Sequence, residues 1–196
     1  MGKKLFLYRA EDIPHIYLIA YRKDKHTWQL IRWNSKTNEF IEGQWLLGRQ
    51  VAVNCSCLSP CGRYFYYLTN IYNGLMDDRD DKHCMIISTV PNFTASLFTK
   101  ECAGRWVLPA GFTKHDRLPI SYIPLEQRGK IKVKYTLKKT RVGTNECFPV
   151  GPILQQHHTD YRGRTIVVDG PTLWRNGKLI YDASENVFEP KPPIVI

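Results

Sequence analysis

Residues 54–68, NCSCLSPCGRYFYYL, leave the backbone few options. Pro60 presets φ and Gly62 tolerates positive φ, so Ser59-Pro60-Cys61-Gly62-Arg63 suits a tight turn. Tyr64-Phe65-Tyr66-Tyr67-Leu68 is a run of residues that favour strands. The stretch therefore reads strand, turn, strand, and commits its neighbourhood to β-structure.

The rest of the chain follows the same grammar. LFLYR and HIYLIAY in residues 5–21 read as two strands separated by a polar break containing Pro14. Thr27–Trp33 alternates imperfectly and ends in the polar loop Asn34–Asn38; Glu39–Leu47 reads as another strand. Cys84–Val90 and Phe93–Phe98 are strand-like, and Asp77–Asp81 lies in a hydrated loop. Trp106–Phe112 and Ser121–Leu125 are short apolar runs broken by prolines and a glycine, and are expected as irregular β. Residues 130–138 give the cleanest period of two, with Ile131, Val133, Tyr135 and Leu137 opposite Lys130, Lys132, Lys134 and Lys138. Thr165–Val168 makes a strand, and Thr172–Tyr181 a hairpin around Asn176-Gly177, a strong hairpin signal. No window of about 12 residues, the length of a typical helix, holds a helical period. The expectation is one all-β domain over 1–196, with a proline-rich extended tail at about 189–196.

Two internal echoes sharpen this reading. Leu58–Arg63, LSPCGR, returns as Thr159–Arg164, TDYRGR, each with a Gly-Arg pair before a strand. Gln29–Glu42 is echoed in Thr172–Glu189, each joining an apolar strand to a Trp/Arg/Asn turn and ending in Phe followed by an acid. The Ser-Pro-x-Gly-Arg stretch resembles the turn between the two inner strands of a blade in β-propeller repeats of the WD40-like and TolB-like kinds. At roughly 45–50 residues per blade, that resemblance implies a small propeller of about four blades. A β-sandwich or an irregular barrel is the alternative. The resemblance implies no catalytic residues, since propellers host scaffolds and enzymes alike.

The net charge of +10 favours polyanionic partners, or serves solubility alone. Arg128, Lys130, Lys132, Lys134, Lys138, Lys139 and Arg141 form a basic ridge without an intervening acid, which phosphates can track. Lysines on an exposed strand also blunt edge-to-edge aggregation, and that role stays open. Arg162, Arg164, Arg175 and Lys178 form a second basic group, extending the ridge only if the fold brings it close.

Two further clusters carry chemistry-bearing residue types. Cys55, Cys57 and Cys61, with Cys84 later, lack the paired spacing of structural zinc and read better as small buried side chains, Cys55 and Cys57 sharing a strand face. His157, His158 and Asp160 offer acid–base groups, but adjacent strand residues point apart, and the echo of Ser59 suggests that this segment frames a turn. No GxSxG or HExxH motif accompanies them. No apolar run approaches the ~20 residues of a membrane-spanning helix, and MGKKLFLYRAEDIPH has no signal-peptide pattern. An intracellular setting, cytoplasmic or nuclear, with reduced thiols is expected.

Three functions follow as expectations. The first is a non-enzymatic binding or scaffold protein acting through loops or a basic surface, without a cofactor. The second is nucleic-acid binding, DNA or RNA, through the 128–141 ridge. The third is a hydrolase or metal-dependent enzyme centred on His157, His158 and Asp160.

Overall fold

The computed structural model describes residues 2–70, 83–99, 118–119, 135–136, 152–153 and 157–193. They are all-β: three four-stranded antiparallel sheets, each with its strands in chain order, and none closes on itself into a barrel. The first sheet holds β1 (Lys4–Arg9), β2 (Ile16–Arg22), β3 (Thr27–Asn34) and β4 (Glu39–Leu47). The second holds β5 (Cys57–Leu58), β6 (Tyr64–Asn70), β7 (His83–Thr89) and β8 (Ala95–Thr99). A two-residue parallel pair, β9 (Leu118–Pro119) and β10 (Tyr135–Thr136), follows. The last sheet holds β11 (His157–Thr159), β12 (Thr165–Asp169), β13 (Thr172–Arg175) and β14 (Lys178–Asp182). Among the described residues, no helix is long and apolar enough to cross a membrane.

Strand alternation determines how the sheets meet. Successive side chains on a strand face opposite sides, and in the first sheet both sides are apolar. Ile16, Leu18 and Ala20 of β2, with Trp28 and Leu30 of β3, join a core with Leu58, Phe65, Tyr67, Ile86 and Val90 of the second sheet and its loops. Tyr17, Ile19 and Tyr21, with Ile31 and Trp33, join a second core with Ile166 and Leu173 of the last sheet. The first sheet thus lies between the other two. Double-sided burial explains the continuous apolar run of β2 and the blurred alternation of β3. Each of these buried side chains contributes about 1.5–3 kcal/mol by leaving water.

Aromatic pairs run across the strands on the side of the last sheet. Tyr17 lies opposite Trp33, with ring centroids 4.9 Å apart, and Trp33 opposite Phe40, stacked at 5.7 Å. Phe40 stacks in turn on Tyr181 of β14 at 4.6 Å. The chain after β14 returns to the first sheet: Asn186 Nδ2 donates to Gln29 Oε1 at 2.7 Å, and Lys191 Nζ lies 3.6 Å from Glu42. Gln44 Nε2 donates to the Lys191 carbonyl.

The two echoed turns are built alike. Ser59 Oγ accepts the N–H groups of Arg63 and Tyr64, and the Gly62 N–H donates to the Ser59 carbonyl. Asp160 Oδ1 likewise accepts from the N–H groups of Arg162 and Arg164, and the Gly163 N–H donates to the Asp160 carbonyl. Gly62 and Gly163 sit at φ of 70° and 72°, where a side chain is strained. Each turn joins the first strand of its sheet to the second. Asn176 and Gly177 both have positive φ, as a two-residue hairpin of type I′ requires.

Sheet-to-sheet fit leaves no room for a side chain at Gly43. A Cβ there would meet the Pro91 carbonyl oxygen at 1.9 Å and the Pro91 Cβ at 2.6 Å. Gln44 Oε1 beside it accepts from the N–H groups of Phe93 and Thr94 and from Thr94 Oγ1. Gly43→Ala is therefore expected to lower stability by about 2 kcal/mol through overpacking. Urea denaturation reads that loss, and an unchanged midpoint would show that β4 and the 91–94 loop separate freely.

Candidate polyanion-binding surface

At one end of the sheets the loops 10–15, 35–38, 59–63, 160–164 and 176–177 gather. Asp12 N–H donates to the Pro60 carbonyl, and Arg164 and Arg175 reach the Ser35 carbonyl, so loops from all three sheets are tied together.

The 160–164 turn carries the chemistry. Asp160 is buried, 4% exposed, and its carboxylate is saturated with donors. Besides the two backbone N–H groups, Arg164 Nε donates to Oδ2 at 2.7 Å and Arg164 Nη2 lies 2.6 Å from it. Burial alone would raise the Asp160 pKa; the bonds from Arg164 and from the Arg162 and Arg164 backbone outweigh it and hold the carboxyl below its ordinary value. Arg164 Nη2 and Arg175 Nη1 both donate to the Ser35 carbonyl, at 2.9 and 3.1 Å. Burial, and then the charge of Arg164 beside it, lower the pKa of Arg175. Two guanidinium groups thus share one neutral acceptor, and the one carboxylate beside them leaves a net positive charge.

Near this pair, Tyr161 is 37% exposed. The Arg162 guanidinium carbon lies 5.3 Å from the Tyr161 ring centroid, and the His15 ring is 5.8 Å away. An exposed ring with a cation on its face suits a planar, electron-rich group whose negative charge reaches the arginines.

The basic ridge of Arg128, Lys130, Lys132, Lys134, Lys138, Lys139 and Arg141 lies outside the described residues, as do the irregular-β runs 106–112 and 121–125 and the 77–81 loop. Of the second basic group, Arg162, Arg164 and Arg175 are brought together, and Lys178 is the register partner of Arg175 across the hairpin. His157 and His158 occupy adjacent positions on β11 opposite Val167 and Ile166. His157 is exposed, whereas His158 Nε2 shares a hydrogen bond of 3.3 Å with the Tyr17 hydroxyl. Burial, and then Arg9, lower the His158 pKa, and burial pushes the Tyr17 hydroxyl up to about 12. With Asp160 held by Arg164, the two histidines and this carboxylate form no converging acid–base group.

The cysteine expectation needs one correction. Cys55 closes a 3-10 turn, Val53–Cys55, so it shares no strand face with Cys57, which is buried on β5. Cys61 sits in the Ser59 turn with its Sγ 3.4 Å from Ser59 Oγ. Among the described residues, no three His, Cys, Asp or Glu side chains are placed to hold a metal ion.

Sequence reasoning missed the Ser35 carbonyl, because a backbone acceptor leaves no mark in composition. Tyr161 was findable: it is the second residue of the repeated turn, where the echo has Pro60. Compared with protein-family models, curated proteins and solved structures, the chain matches none of them.

Because Asp160 has a lower pKa folded than unfolded, it stabilises the fold fully above the unfolded value of about 3.9. That contribution is lost as pH falls through the folded value. Asp160→Ala is expected to cost about 3 kcal/mol near neutrality, by leaving Arg164 without its carboxylate. The stability difference between wild type and variant should shrink below about pH 4, which acid titration of urea midpoints measures. A difference that stays constant into acid would remove the ion pair from the account.

Proposed function

We propose that this chain is a non-enzymatic binding protein, built as a small β-propeller of about four blades, whose Asp160 end engages single-stranded nucleic acid. The propeller reading draws support from three up-and-down sheets of consecutive chain segments and from the same turn at equivalent positions in two of them. The first sheet, covered by the second on one face and by the last on the other, has the neighbours a ring of blades gives it. The chain between Thr99 and His157 has length for one more such unit.

The observation that carries the function is Tyr161, an exposed ring with the Arg162 guanidinium over it, near the Arg164–Arg175 pair. Stacking on an aromatic ring tolerates any base, and arginines bind phosphate in a fork geometry. Ring and cations together select a strand with unpaired bases over a closed duplex.

A protein partner is the second reading, favoured by the exposed Val187 and Phe188, the latter against Trp45. That surface predicts binding insensitive to salt.

Fluorescence anisotropy with short single-stranded and duplex DNA and RNA across a salt series tests the proposal. Wild type should prefer single strands and weaken as salt rises. Tyr161→Ala should lose about 1–3 kcal/mol, roughly 5- to 150-fold in affinity, and Arg162→Glu should also flatten the salt dependence. No binding near physiological salt, or equal affinity for Tyr161→Ala, would contradict it.

A further inference from the structure

The two echoed turns differ by one oxygen. In the last sheet Asp160 has two: Oδ1 accepts the N–H groups of Arg162 and Arg164, and Oδ2 accepts from Arg164 Nε. In the second sheet Ser59 stands in that place, and its single side-chain oxygen accepts the N–H groups of Arg63 and Tyr64. A hydroxyl oxygen has two acceptor sites and no charge, so the Ser59 side chain has no site left for a guanidinium. Arg63, the counterpart of Arg164, is exposed, and among the described residues its side chain makes no ion pair or hydrogen bond.

Both turns pack on one segment, residues 10–16. Asp12 N–H donates to the Pro60 carbonyl, and a Cβ on Gly62 would lie 3.2 Å from the Ala10 Cβ and 3.1 Å from Ile16 Cγ2. From the other turn, the Tyr161 ring centroid lies 5.8 Å from that of His15. This segment therefore joins the turn that carries Arg63 to the turn that carries Tyr161 and Arg162. The segment itself repels phosphate. Glu11 and Asp12 are both exposed, and among the described residues Glu11 alone of the two is paired, with Arg9 at 3.4 Å. A strand's phosphates thus find cations at the two turns rather than over the segment that joins them.

We infer, on the single-strand reading of the Asp160 end, that Arg63 is a second phosphate contact of the strand whose base stacks on Tyr161, so that the ligand is an extended strand of several nucleotides rather than a single nucleotide. One nucleotide satisfies the ring and the arginines near it. Arg63 belongs to the turn of another sheet, and only a strand that continues past the ring reaches it. The change from Asp160 to Ser59 gives the two arginines different tasks: Arg164 is engaged by Asp160 and the Ser35 carbonyl and sets the turn, whereas Arg63 keeps its donors for a ligand.

Fluorescence anisotropy with labelled oligothymidylates of two lengths tests this, one of about two nucleotides and one of about ten, the latter within the range of single-strand sites. Wild type should bind the longer strand more tightly. Arg63→Ala, at a side chain the fold does not use, should weaken the longer strand about threefold, the worth of an exposed ion pair. It should also lower the salt slope of that strand by about 0.7, one phosphate contact, and leave the shorter strand unaffected. Arg63→Lys should recover most of the loss, because a phosphate also accepts a point charge. Tyr161→Ala should weaken both lengths. Unchanged binding of the longer strand by Arg63→Ala, with Tyr161→Ala still defective, would overturn the Arg63 contact and leave the stacking site standing. An equal loss at both lengths would overturn it as well. Unchanged binding by Tyr161→Ala would contradict the stacking site itself, and the Arg63 contact with it.

Discussion

The fold depends on β2 being apolar on both sides. A strand with one polar face can border water, but Ile16–Tyr21 has none to offer, and every residue of it is buried. The first sheet must therefore be covered twice, once by the segment that follows it and once by the segment nearly at the other end of the chain. Burial on both faces is usual where a sheet lies within a stack. Here it joins the beginning of the chain to residues 157–191, through Phe40 on Tyr181 and Asn186 on Gln29.

The same constraint places the chemistry. With both faces of the first sheet largely closed, the candidate polar and charged groups gather at the strand ends. At one end the Asp160 turn converts a buried carboxylate into a scaffold for Arg164 and Arg175, leaving Tyr161 and Arg162 outermost. At the other, Arg22 and Lys25 edge a cavity whose wall is held to β6 and Tyr8. In our reading the first end takes a stacked nucleic-acid strand.

Much of the fold was legible because strand signals are local. The Ser59 and Asp160 turns announced themselves through a Gly placed for positive φ, and Asn176-Gly177 through its hairpin pair. Glu39–Leu47 has the limits its residues implied. Thr27–Asn34 alternated poorly in sequence because both of its faces are buried, a fact held by the neighbouring sheets rather than by the strand. The candidate surface was half legible. Arg162, Arg164 and Arg175 stood out as a basic group, but the meeting of Arg164 and Arg175 at the Ser35 carbonyl depends on segments some 130 residues apart in sequence. The Cys55 reading failed because the 3-10 turn Val53–Cys55 ends just before β5, where a Cys-x-Cys spacing reads as strand alternation.

Native-state hydrogen exchange tests the central claim, that the first and last sheets form one cooperative unit. Amides of Tyr17–Tyr21 and of Ile166–Val168 should open with the same free energy and the same denaturant dependence, that of global unfolding. Exchange of Ile166–Val168 through a separate, denaturant-insensitive opening, with β2 still protected, would show that the last sheet is not what closes the second face of the first.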